Sequence, residues 1–162
     1  MAQVDYFLKL DGIEGESEDD KFPNQIQLES FSWGASQGGT MAFGGGGGAG
    51  KVQMQDFHFV MKNNKASARL FLACASGDHI GKGVLSARKA GKEQQTFLVV
   101  TFSDLLVSSY QTSGSGSGDV LPMDQISLNF AKIEVEYKLQ DKSGKVIPQG
   151  KVGWDQKKNK AA

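Results

Sequence analysis

The strongest constraint on the fold of this chain is the alternation that runs from Ile126 to Leu139. Ile126, Leu128 and Phe130 alternate with Ser127, Asn129 and Ala131, and beyond Lys132 the residues Ile133, Val135, Tyr137 and Leu139 alternate with Glu134, Glu136 and Lys138. Period two puts one side-chain set on each face of a strand, so this segment predicts a strand with one buried face. The apolar parity flips once, between Phe130 and Ile133. A strand that buries one face early and the other late predicts a sharp bend or a bulge, as in a barrel.

Similar, shorter patterns recur along the chain. Gln3 to Leu10 sets Val4, Tyr6, Leu8 and Leu10 at period two, and Asp11-Gly12 then signals a turn. Gly15 to Pro23 is polar and acidic and reads as loop. Gln25 to Trp33 is predicted as a strand whose parity changes midway: Ile26, Leu28, Ser30 and Ser32 share one face by spacing, while Phe31 and Trp33 sit on the other. Val52 to Met61, Val84 to Lys89, Gln95 to Phe102 and Leu105 to Thr112 are further strands, and Lys151 to Trp154 adds a short last one. Only Ser67 to Ser76 is predicted helical, with Ser67 as N-cap, Leu70, Phe71, Ala73 and Cys74 as an apolar stripe, and Gly77 just past the end. The pattern predicts a mainly β fold: an antiparallel β-barrel or tightly packed sandwich of roughly eight strands, with one short α-helix and a long Gly-rich extended loop. A chain of 162 residues suits one domain, residues 1–162, with a full core.

That loop invites a nucleotide-site reading. Gly45 to Lys51 has the spacing of a phosphate-binding loop, which also needs a Ser or Thr after the lysine and a helix whose first amides face the phosphate. Here Val52 follows, and Val52 to Phe59 reads as a strand. Ordering five successive glycines loses much backbone entropy, so the run needs another surface to hold it. Met41 and Phe43, apolar groups just before it, are candidate anchors on a neighbouring subunit.

Composition narrows the function classes. The formal net charge is zero, which gives no electrostatic footprint for nucleic acid or a membrane surface. Acidic residues gather early (Glu14, Glu16, Glu18, Asp19, Asp20) and lysines late (Lys151, Lys157, Lys158, Lys160), a polarity that suits either two solvated faces or a head-to-tail contact between copies. The one cysteine, Cys74, excludes an internal disulfide and is predicted as a small core residue. The first residues lack the basic and apolar regions of a signal peptide, and no stretch approaches the ~20 apolar residues of a membrane span. His58 and His79 have no metal-ligand spacing around them; His58 is read as a strand histidine and His79 as a cap at the helix terminus. No nucleophile elbow or paired-carboxylate pattern appears, so the sequence points away from an enzyme.

Several segments together resemble one family. Asp11-Gly12-Ile13-Glu14-Gly15-Glu16-Ser17, Ser32-Trp33-Gly34 with Ser36-Gln37-Gly38, the Gly44 to Val52 run, Leu72-Ala73-Cys74 with Ser76-Gly77 and His79, Arg88-Lys89-Ala90-Gly91, Val107-Ser108-Ser109, Ser127-Leu128-Asn129-Phe130-Ala131 and Gly153-Trp154 resemble, in order, the haemolysin-coregulated proteins of type VI secretion. The resemblance implies a barrel with one helix that forms a homohexameric ring. Rings would stack into the inner tube of a contractile, phage-tail-like machine. It further implies a trimeric spike protein (VgrG-like) at the tip, a surrounding contractile sheath and effector proteins in the lumen. It implies no cofactor, metal, catalytic residue, nucleic acid or membrane insertion. Assembly would be cytoplasmic, followed by export without a cleaved signal peptide. On this reading Met41, Phe43, Gly44, Gly45, Gly46, Gly47, Gly48, Ala49 and Gly50 form a ring-stacking loop, and Ser30 and Ser32 belong to the lumen wall that cargo touches. With Gly153-Trp154 close to the last residue given, the expectation is a tube subunit without the toxin domain fused to some relatives. The competing reading is a secreted barrel that binds carbohydrate or a surface receptor through its loops, which predicts a monomer or dimer with an aromatic-lined pocket.

Overall fold

The computed structural model describes residues 3–38, 51–90, 94–118 and 120–162. Its element order is β1 (Val4–Leu10), β2 (Ile26–Leu28), β3 (Ser30–Gln37), β4 (Val52–Lys62), α1 (Ala66–Ser76), β5 (His79–Lys89), β6 (Thr96–Ser113), β7 (Met123–Gln140), β8 (Val146–Asp155) and β9 (Lys160–Ala161). All strand pairs are antiparallel, in the order β2-β1-β5-β6-β7-β4-β3, with β8 on the far half of β7 and β9 on β8. The ladder is not closed. Its two ends, β2 and β3, are nevertheless separated by one residue, Glu29, whose N–H donates to the Val60 carbonyl at 2.8 Å. The sheet therefore curls until its ends meet at residue 29.

That meeting point corrects the predicted face of Ser30 and Ser32. Ile26 and Leu28 are buried, but the parity changes at Glu29, so Ser30 and Ser32 are exposed while Phe31 and Trp33 pack against the core. A second irregularity, between Ser32 and Gly34, is a bulge against β4.

The predicted flip in the last long strand extends across the sheet. Successive inward residues stand three apart rather than two in three adjacent strands: Ile80 and Gly83 in β5, Phe102 and Leu105 in β6, Phe130 and Ile133 in β7. They are paired, Ile80 with Leu105 and Leu105 with Phe130, Gly83 with Phe102 and Phe102 with Ile133. The extra residues line up as one corner, and Asp104 takes it with φ of 55°. The two strands predicted over Gln95–Phe102 and Leu105–Thr112 are thus a single strand, β6, bent in the middle. Inside the corner lies a core dominated by Phe57, Phe59, Phe102 and Phe130, with ring centroids 4.7–5.7 Å apart.

Helix α1 packs on the β6 side and differs from its sequence reading at the start. Ser67 is not the N-cap. Asn64 Oδ1 accepts the Ala66 N–H at 2.8 Å, and Ser67 lies buried in the first turn, donating to Asp124 at 2.5 Å. The C-terminus is as predicted, with Gly77 left-handed (φ 73°) and its N–H on the Ala73 carbonyl. Leu70 and Ala73 are buried, Cys74 is half-buried rather than core, and Phe71 is exposed, edge-on to Tyr110 at 6.0 Å. His79 opens β5 as an exposed residue, two residues past the Gly77 cap. The last strand, β8, is longer than predicted and forms a hairpin with β7 around Asp141, whose Oδ1 accepts the N–H groups of Ser143 and Lys145.

Candidate functional site

The acidic loop after β1 is tied down by one arginine. Arg88, 2% exposed, forks onto Asp19 with bonds of 2.9 and 2.6 Å and reaches Asp5 at 3.2 Å, while its guanidinium lies 5.1 and 5.3 Å from the Phe7 and Phe22 rings. The fork is the bidentate geometry that favours arginine over lysine. It holds Asp19 well below the ordinary carboxylate range, at about 2. Gly15 has a steric role in the same loop: a Cβ there would lie 2.5 Å from the Gln25 carbonyl oxygen and 2.6 Å from the Ile26 Cα. Both residues lie in segments that carry the family resemblance.

The other clearly perturbed groups also have structural partners. Burial first, and the neighbouring Asp124 carboxylate second, push the Tyr110 hydroxyl up. Asp124 is fully buried and accepts from Ser67 and from Asn63, fastening the start of α1 to the start of β7. Lys151 and Lys132 flank Glu134 at 3.0 Å each and lower it. A cavity of about 590 Å³ lies between the Asp11–Glu14 turn and α1; Lys9, Lys65 and Arg69 face Asp11 and Glu14 there, and Lys65 pairs with Glu14 at 3.4 Å. Among the described residues no three His, Cys, Asp or Glu side chains converge as metal ligands. Among the same residues no helix is long and apolar enough to cross a membrane.

Two surfaces stand out instead. The first is the outer face of β3, β4, β7 and β6. Ser32 is paired with His58, His58 with Ser127, and Ser127 with Ser109, which makes one row; Ser30, Val60, Gln125 and Gln111 make the next. His58 Nδ1 lies 3.1 Å from Ser127 Oγ, and Asp56 accepts from Ser108 and Asn129. Ser30 and Ser32 therefore sit among mostly polar side chains without formal charge, with Val60 as the apolar exception, and the nearby Asp56 carboxylate is already hydrogen-bonded. Phe57 and Phe59 occupy the opposite, buried face of β4, as the alternation predicts.

The second surface is the β7–β8 hairpin, which sequence reading left without a role. Its faces are sharply unequal. Glu134, Glu136, Lys138 and Lys151 form ion pairs on one side. The other side continues the core face outward from Ile133 through Val135, Tyr137 and Leu139, with Val152 beside Val135 and Ile147 beside Leu139. Tyr137, Leu139, Ile147 and Val152 are 45%, 46%, 41% and 72% exposed. The candidate stacking residues, Met41, Phe43 and Gly44 to Gly50, lie outside the described residues.

Comparison with known proteins agrees with this geometry along the chain. Residues 7–137 match the family described as type VI secretion system effector, Hcp. Protein hcp1 of Pseudomonas aeruginosa is 42% identical over 158 residues, covering 96% of this chain and 97% of that protein. A solved type six secretion system protein superposes with a TM-score of 0.94 at 31% identity, covering 99% of this chain and all of the other. Hcp1 from Salmonella typhimurium does so at 0.81 and 38% identity, with both chains fully covered. A match over most of the sequence, with a shared curled sheet and one helix, places this chain in the Hcp family of type VI secretion proteins.

Proposed function

We propose that this protein is a ring-forming subunit that stacks into the inner tube of a type VI secretion machine and carries effector proteins in its lumen. The observation that supports it most is the uncovered apolar face of the β7–β8 hairpin. Four large apolar side chains on one side of a protruding hairpin, with ion pairs on the other, form a patch of the kind that marks a protein interface. Covering that patch with a different surface of an identical chain gives a heterologous contact, which closes into a ring when the rotation allows it. Six subunits of 17.4 kDa make a ring of about 100 kDa. The ring would be built from one 162-residue domain, made in the cytoplasm and exported with the tube. The spike protein at its tip and the sheath around it are the partners that this reading requires.

Light scattering on the purified protein tests the assembly. The wild type is expected as a ring with a central hole in negative stain. Val152→Asp with Leu139→Asp, both at exposed positions, is expected to leave a folded 17.4 kDa monomer. A wild type that stays monomeric at high concentration would overturn the proposal.

The polar field around Ser30 and Ser32 supports a lumen wall, because small neutral side chains leave room for cargo and hold few fixed charges. Replacing Ser32 by Gln or Glu puts a longer side chain beside His58 and is expected to reduce effector retention in pull-downs while rings stay intact. Unchanged retention would remove Ser32 from the wall.

A further inference from the structure

On the outer face of β3, β4, β7 and β6 one carboxylate is held only by neutral donors. Asp56 accepts from Ser108 Oγ at 2.5 Å and from Asn129 Nδ2 at 3.0 Å, and among the described residues it forms no ion pair. Strand alternation puts His58 on the same face, two residues along β4 and about 7 Å away. His58 is half-buried, with Nδ1 3.1 Å from Ser127 Oγ. Ser32 of β3, Ser127 of β7 and Ser109 of β6 share its row, and Val60 follows it on that face of β4. The other charged or titratable groups facing it are distant or paired. Lys62, two residues beyond Val60, is bonded to Glu29 at 3.7 Å. His79 of β5 joins the Asp56 row through Leu106 and Asn129, about 14 Å from Asp56 across three strand spacings.

Histidine changes charge between about pH 5 and 8, a range in which ordinary carboxylates stay ionised. With His58 neutral, Asp56 alone sets the charge at the centre of this face. A protonated His58 offsets it from within a Debye length of about 8–10 Å, whereas His79 stands beyond that length. In a ring, every copy repeats the change around the pore. We propose that this face holds basic segments of cargo through Asp56 at neutral pH and releases them when His58 takes up a proton. The inference rests on the lumen reading of Ser30 and Ser32 and names the cargo chemistry which that reading leaves open.

Decalysine is the probe, measured by equilibrium dialysis against intact rings at low salt, at about pH 7.5 and about pH 5.5. Acidification is expected to weaken wild-type binding about threefold, the effect of one unit charge across about 7 Å of water. His58→Gln, which keeps a hydrogen-bonding side chain beside Ser127, should bind equally at both pH values, and His79→Gln should follow the wild type. Asp56→Asn should bind weakly at both. Intact rings that take up no decalysine, or whose binding falls as much in His58→Gln as in the wild type, would overturn the proposal. The same His58-dependent response to decalysine fixed on latex beads, which enter no pore, would instead place this face outside the ring and count against the lumen reading.

Discussion

Asp19→Ala is expected to destabilise the protein by about 3 kcal/mol, lowering the thermal midpoint by about 10 °C for a chain of this size. The reason is an asymmetry in burial. Arg88 has a side chain only 3% exposed, whereas Asp19 and Asp5 are 21% and 30% exposed. Removing Asp19 strands a buried cation on one remaining partner, Asp5 at 3.2 Å. Arg88→Met removes the cation and leaves two carboxylates that reach water, with a thioether that still packs against the stacked Phe7 and Phe22 rings, so its cost is expected to be only about 1 kcal/mol. If both variants lost the same amount, burial of the guanidinium would not be what makes the loss of Asp19 costly.

The same pair fixes an acid dependence. Asp19 has a folded pKa of about 2 against an ordinary 3.8, a depressed carboxylate. Its contribution is therefore complete above about pH 4 and is lost as pH falls through about 2. Stability of wild type and Asp19→Ala, measured against pH, should converge toward the acid end of that window. A difference that instead grew on acidification would contradict the assignment.

Phe57→Ala is expected to be the most damaging core substitution, at about 4 kcal/mol. Phe57 is fully buried and sits among Phe31, Phe59 and Phe102 at 6.0, 5.7 and 4.7 Å, so the cavity left behind is walled by rings fixed on three strands and cannot collapse readily. Phe71→Ala, on the exposed side of α1 at 57%, is the control and should cost well under about 1 kcal/mol. Denaturant midpoints at one fixed protein concentration separate the two, because assembly makes apparent stability depend on concentration. A Phe57 variant within error of the Phe71 variant would show that the aromatic cluster is not the core.

Much of this architecture was legible in the sequence because alternation reports burial directly. The flip between Phe130 and Ile133 was visible since both residues are apolar and three apart. The continuity of β6 through Asp104 was not visible: Ser103 and Asp104 read as a break, and only pairing with β5 and β7 shows that they are the outer side of a bend. Ser67 offered the right chemistry for a cap but is used by Asp124, fifty-seven residues away, a partner that no local pattern reveals. The exposed side of the hairpin was misjudged in the opposite sense, since Tyr137 and Leu139 follow the rule for a buried face. Their surplus over what one chain can cover becomes apparent only when solvent exposure is known.

The corner also restricts how such a chain can change length. Deleting Asp104 alone would leave Phe102, Leu105 and Val107 on one face at strict alternation, but would shift one half of β6 by a residue against both neighbours, which keep their extra residue. Only a matched deletion near Gly81 in β5 and near Ala131 in β7 would restore phase. Insertions and deletions at this bend should therefore be tolerated as coordinated triplets across strands distant in sequence, so that related chains vary in their loops long before they vary here.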